Sequence, residues 1–207
     1  MKTRIAVFVS GGGTNLQALI DALNDKRITA GEIKLVISSN KDAYALKRAQ
    51  KHNIDTYVVN KKEEGSQILF ENKILSYLKE YEIDMIVLAG FMNILSKDFI
   101  QEYPNRIINV HPSLIPSFCG KGMYGLKVHE AALAYGVKVS GATVHYVNEI
   151  ADGGEIIFQK AIKIKEDDTA ESLQLRIMKQ AEWILLPKAV QLVAQRIKEE
   201  KKDARNK

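Results

Sequence analysis

Ile5-Ala-Val-Phe-Val-Ser-Gly-Gly-Gly-Thr-Asn-Leu16 is the stretch that decides the fold. Five apolar residues in a row, Ile5 to Val9, read as a strand buried on both faces, as in a parallel sheet. Helical periodicity follows at Leu16, Ala18, Leu19, Ile20 and Leu23. The unit is strand, glycine loop, helix. The same alternation recurs downstream, with strands expected over 33–37, 56–59, 85–89 and 106–110. Helices are expected over 43–52, 67–81 and 96–102, the second with an apolar face at 68, 69, 74, 75 and 78. This rhythm predicts an α/β fold with a doubly wound, mostly parallel sheet.

The rhythm changes after residue 111. A loop rich in Pro, Gly and aromatic residues covers 112–125, a helix 126–135, and two longer strands 139–147 and 155–164. Asp152-Gly153-Gly154 lies between those strands, so they are expected to pair antiparallel and the sheet to be mixed. Asp168-Thr-Ala-Glu171 has the form of a capping residue with Glu at N3. The last helix is expected to run to about residue 200, bent near Pro187. Residues 1–197 read as one domain and 198–207 as a charged, frayed tail.

Composition is that of a globular domain, with 46% hydrophobic and 27% charged residues. The net charge of +5 is poorly localised, and no aromatic RNA-binding signature accompanies it. Small-molecule partners, phosphorylated or polyglutamated, are therefore expected rather than nucleic acid. A lone cysteine, Cys119, excludes an intramolecular disulfide and a Cys-based zinc site. No apolar run approaches the ~20 residues that span a bilayer, and no signal-peptide pattern opens the sequence, so a cytoplasmic protein is expected. No His/Asp/Glu spacing points to a metal.

Chemistry concentrates in two places. The glycine loop suits an anion, because glycine lets backbone approach closely and the helix N-terminus presents free N–H groups. It is neither a Walker loop, since no Lys-Ser/Thr follows, nor a dinucleotide fingerprint, since position 16 is Leu. The plainer reading is a tight strand-to-helix turn. The second place is Asn109-Val-His-Pro-Ser-Leu-Ile-Pro116 together with Asp152-Gly153-Gly154. Asn109 and His111 are two apart at a strand end and so share a face. An amide N–H can steady an oxyanion, and an imidazole can relay a proton near neutral pH. A carboxylate beside that imidazole favours its charged form. Each residue also has a bland reading as turn former, and whether Asp152 reaches His111 is not legible from spacing.

These motifs, with Leu88-Ala-Gly-Phe-Met-Asn-Ile-Leu95 and Gly141-Ala-Thr-Val-His-Tyr-Val147, resemble the phosphoribosylglycinamide formyltransferases, the folate-dependent enzymes of purine biosynthesis. The resemblance spans nearly the whole chain and implies the formyltransferase fold. It implies transfer of the formyl group of 10-formyltetrahydrofolate, a co-substrate, to the amine of phosphoribosylglycinamide, with no metal. Asn109, His111 and Asp152 would be catalytic. Gly13, Thr14, Asn15 and Glu182 would bind the amine substrate, the first three its phosphate and Glu182 its ribose. Gln67, Met92, Asn93, Ile94, Leu95, Asn109 and the loop Asn148, Glu149, Ile150, Ala151 and Asp152 would bind folate. The Ile115–Pro116 bond is expected to be cis, and the protein a monomer or weak homodimer.

The sequence departs from the family at Gln67 and Asn93, where many members carry Arg. Lys121 or Lys127, in or near a longer loop over 118–125, would then meet the folate's acidic tail. Rival readings are formyl transfer to a sugar nucleotide, hydrolysis of formyltetrahydrofolate, and a non-catalytic phosphate-binding α/β module. A tRNA formyltransferase is expected to carry a further C-terminal RNA-binding domain, and a deformylase an N-terminal regulatory one. His145 reads equally as a partner of the site or a core histidine. His52 and His129, beside Lys and Glu on helices, read as surface. Ser113 lacks a Gly-x-Ser-x-Gly elbow, nothing lowers the Cys119 thiol, and Trp183 reads as packing.

Overall fold

In the computed structural model, which describes residues 2–205, the strands are β1 (Thr3–Val9), β2 (Gly31–Ser38), β3 (Asp55–Val58), β4 (Met85–Leu88), β5 (Ile107–His111), β6 (Val139–Tyr146) and β7 (Ile156–Lys163). They form one sheet in the order β3-β2-β1-β4-β5-β6-β7. The first five are parallel, and β6 runs antiparallel to both of its neighbours, β5 and β7. The helices are α1 (Thr14–Asn24), α2 (Tyr44–Lys51), α3 (Lys61–Glu64), α4 (Gln67–Glu80), α5 (Lys97–Gln101), α6 (Leu126–Tyr135), α7 (Ala170–Ile177) and α8 (Trp183–Arg205).

Helices cover both faces, which is why β1 and β4 read as unbroken apolar runs. On one face Leu16, Leu19 and Ile20 of α1 meet Leu186, Val190 and Val193 of α8. On the other, Phe70, Ile74 and Leu78 of α4 recur every fourth residue and pack with Phe99 of α5. Ile68 and Leu69, expected on the buried face of α4, are instead exposed at its first turn. Glu71 is buried in their place, because its carboxylate accepts from the Ser96 N–H and hydroxyl, each at 2.6 Å. The chain crosses from one side of β1 to the other between β3 and β4. A crevice at the carboxyl ends of β1 and β4 is where such sheets bind ligands.

The C-terminal region corrects one expectation, at the start of α7. Thr169, not Asp168, caps α7, and Ser172 rather than Glu171 completes the box. Asp168 is already committed to Arg176 and to the Lys165 N–H, and these hold its carboxyl well below the usual range. Pro187 does not break the last helix but lies inside α8; the irregularity is the π-turn Met178–Glu182 just before it. α8 runs on past residue 198. Glu200 meets Arg106 at 3.1 Å and Lys201 pairs with the buried Asp84, so α8 continues to Arg205. Residues 206 and 207 of that expected tail lie outside the described residues. Among the described residues no helix is long and apolar enough to cross a membrane.

Candidate active site

β5 ends in Asn109 and His111, on the face shared with Ile107 and away from Ile108 and Val110. The antiparallel register sets His145 of β6 directly opposite Asn109, and Thr143 opposite His111. Asp152 arrives from the turn between β6 and β7 with a left-handed φ of 56°. That turn is tight: a Cβ on Gly154 would lie 1.7 Å from the Tyr146 carbonyl oxygen. The Asp-Gly-Gly motif is thus a turn after all, and its tightness is what brings the carboxylate back to the end of β5.

Four side chains meet there. The Asp152 Oδ2 lies 3.5 Å from the His111 Nδ1 and accepts from the Gly120 N–H at 2.8 Å. Its Oδ1 lies 3.4 Å from the Asn109 Nδ2 and 3.6 Å from the His145 Nε2. Burial works against the Asp152 charge. His111 and the Gly120 N–H offset it, so the carboxyl is held below its usual range and is ionised near neutrality. The His111 Nε2–H donates to the Phe118 carbonyl at 2.9 Å. Both ring nitrogens of His111 thus face oxygens, so a doubly protonated ring has an acceptor on each side.

His145 donates from Nδ1 to the Tyr146 carbonyl at 2.8 Å. Its Nε2 is then an acceptor for the Asn109 amide at 3.2 Å. One amide hydrogen of Asn109 is fixed by His145. The other is held only by the long contact to Asp152 and is free to turn to a ligand oxygen. His145 is thus buried and touches both Asn109 and Asp152. The nearby Cys119 thiol is pushed up by burial and by Asp152, which suppresses its thiolate. The Ser113 hydroxyl is buried and donates to the Ser117 carbonyl at 2.6 Å.

Two cavities flank this cluster and share Asn109 and Asp152 as part of their walls. The first, about 250 Å³, is lined by Met92–Leu95 and by Asn148–Asp152, two segments 53 residues apart at their nearest ends that were both expected to bind folate. Its walls are apolar at Phe91, Ile94, Leu95, Val147 and Ile150. Gln67 does not line it. Its amide donates to the Ile94 carbonyl at 3.1 Å and to Glu71, so it pins the strip from behind. Lys121 lines this cavity, whereas the Lys127 Nζ sits 4.9 Å over the Tyr124 ring. The Ile115–Pro116 bond is cis.

The second cavity, about 230 Å³, is lined by His111, Asn15, Gly90, Met178 and Glu182. Asn15 donates to Glu182 at 2.7 Å, and burial of Glu182 pushes its carboxyl up to about 7 despite that bond. Of the glycine-loop residues only Asn15 lines this cavity. Thr14 faces a neighbouring hollow with Arg48 and Trp183, and Gly13 lines neither. Gly13 is the left-handed cap of α1, where a Cβ would lie 2.6 Å from that of Ala45.

Sequence reasoning misplaced His129 and missed Arg48. His129 is fully buried in the wall of the second cavity, not at the surface. Its charged neighbours Glu130 and Lys127 are one and two residues away and belong to other faces of α6, while Val128 and Ala132 are buried with it. The Arg48 guanidinium donates to the Gly12 carbonyl at 2.9 Å and so brings charge to the glycine loop from α2, which no local pattern signals.

The family model described as formyl transferase matches residues 3–190. A human trifunctional purine biosynthetic protein, adenosine-3, is 44% identical over 93% of this chain, but the chain spans only 18% of its length. The chloroplastic phosphoribosylglycinamide formyltransferase of Arabidopsis thaliana is 35% identical over 95% of this chain and 68% of its own. Among solved structures, glycinamide ribonucleotide transformylase 1 from Symbiobacterium toebii superposes with a TM-score of 0.87 at 39% identity, covering 94% of this chain and 88% of that one.

Proposed function

The chain belongs to the formyl transferase family, among its phosphoribosylglycinamide formyltransferases, and we propose that it moves the formyl group of 10-formyltetrahydrofolate onto the amine of phosphoribosylglycinamide. The observation that carries this reading is the meeting of two cavities at Asn109 and Asp152. Two substrates held on either side of one amide, one imidazole and one carboxylate need no covalent relay through the protein.

An apolar slot with polar side chains at its inner end fits a flat ring system whose acyl group lies at that end. Met92–Leu95 and Asn148–Asp152 would hold the folate, which supplies the activated formyl group. Asn15, Glu182 and the N-terminus of α1 would hold the phosphoribosyl part, the helix N-terminus suiting its phosphate. Asn109 donates its loosely held amide hydrogen to the formyl oxygen as negative charge develops there. His111, its Nε2–H fixed by the Phe118 carbonyl, adds a donor at that oxygen when doubly protonated. Asp152, ionised at the start, balances the His111 charge and relays the proton the amine loses, directly or through water, to the folate nitrogen as the bond from that nitrogen to the formyl carbon breaks. His145 orients the Asn109 amide. Proximity supplies much of the rate, since effective molarities of ~10⁵ M and above attend well-placed reactants.

The purified protein should formylate phosphoribosylglycinamide faster than water, a sugar-nucleotide amine or aminoacyl-tRNA offered in the same assay. Faster formylation of another acceptor would reassign the substrate, and no turnover of any would leave a binding module. Lys121 is the cation placed to meet the folate's acidic tail. The Lys121→Ala/Lys127→Ala double variant should raise the folate KM; an unchanged KM would refute that role.

A further inference from the structure

We propose that His129 contacts the amine substrate, its imidazole hydrogen-bonding the glycinamide end, which supplies the partner the ring lacks in the free protein. This rests on the function proposed above. The ring is fully buried, and neither of its nitrogens has a hydrogen-bond partner among the described residues. Buried polar groups are nearly always paired, and an orphaned one is destabilising relative to an apolar group of the same shape. The flanking buried residues Val128 and Ala132 show that an apolar side chain suits this face of α6. Packing alone therefore gives no reason for a histidine.

Its position gives one. His129 forms part of the wall of the second cavity, with His111 at the end of β5 and Gln174, Met178 and Glu182 on the facing helices. Burial, and the charge on His111, push the His129 imidazole down to about 4. The ring is thus neutral at physiological pH and offers one donor and one acceptor. A neutral ring is a poor counterion for phosphate, and the glycine loop, between β1 and α1, meets this cavity only at Asn15. Glu182 and Asn15 already answer to the phosphoribosyl part. What remains beside His111 is the glycinamide group, whose N–H and carbonyl match a neutral imidazole.

The test pairs a variant with a measurement on the unaltered protein. His129→Phe should weaken phosphoribosylglycinamide binding by roughly tenfold or more, leave folate binding unchanged and leave Tm unchanged or raised. His129→Gln, which keeps a donor and an acceptor, should recover part of the loss. In the unaltered protein, the ¹⁵N resonances of the His129 ring should move on saturation with phosphoribosylglycinamide and not with folate alone. Unchanged binding in His129→Phe, or unmoved ring resonances at saturation, would overturn the inference while leaving the function intact. A lowered Tm with both ligands weakened alike would make His129 a core residue. Failure of the unaltered protein to bind phosphoribosylglycinamide would overturn the function and this inference together.

Discussion

Asn109 has two amide hydrogens and, in this fold, two unequal partners. His145 holds one at 3.2 Å and Asp152 the other at 3.4 Å. The weaker contact is the one a developing oxyanion can replace. Asn109→Ala should therefore lower kcat by ~10²–10³ with little change in substrate KM. A fall under tenfold would count against the role. The same arrangement explains what was legible at this scale. Asn109 and His111 follow from strand alternation, and their shared face needs only the period of two. The part played by His145 does not, because it depends on which residue of β6 faces Asn109, and that register is fixed by the whole antiparallel pair. Glu182 supports a separate expectation. Its folded carboxyl titrates at about 7, above the ordinary 4.5, so the fold binds a proton there that the unfolded chain has released. Its contribution to stability is present below about 4.5 and is lost as pH rises to about 7. Glu182→Gln, measured by thermal unfolding, should gain relative to the parent by about 3 kcal/mol between pH 4 and pH 8; a constant difference would contradict the raised carboxyl.

The turn between β6 and β7 and the π-turn before α8 are the elements that aim the site. Gly154 passes so close to Tyr146 that Gly154→Ala should destabilise the fold by about 1–3 kcal/mol and displace Asp152. Denaturant titration should show the loss, and kcat should fall further than stability accounts for. The π-turn sets Met178 and Glu182 on the wall of the second cavity. Deleting the exposed Lys179 would restore an ordinary α-helical turn and rotate Glu182 away. The expected result is a rise of roughly tenfold in the KM for the amine substrate, with folate KM and helical circular dichroism unchanged. Unchanged KM values would show that the turn does not aim Glu182. Nothing in residues 178–187 announces a π-turn. Pro187 signals only that the helix must adjust somewhere nearby, not where. Likewise Asp168 looks like a cap until Arg176, two turns on, claims its carboxylate.

The whole molecule was the most legible scale. Strands alternating with helices dictate a parallel sheet, two longer strands around a glycine turn dictate the antiparallel pair, and both are present in the order the chain implies. Less legible was how far α8 reaches, since Arg106 and Asp84, which fix Glu200 and Lys201, lie about a hundred residues away in sequence. The sheet order places its crevice at β1 and β4, and the two cavities open there around one cluster. Both substrates should therefore be bound before chemistry occurs, and initial rates at varied concentrations of each should give intersecting double-reciprocal lines. Parallel lines would require a formylated protein intermediate. The most direct test of the account is His111→Ala, with turnover and the affinity for each substrate measured on the same protein. A fall in kcat of more than ~10² with both dissociation constants held within about threefold is expected; turnover within tenfold of the parent would contradict the site's assignment.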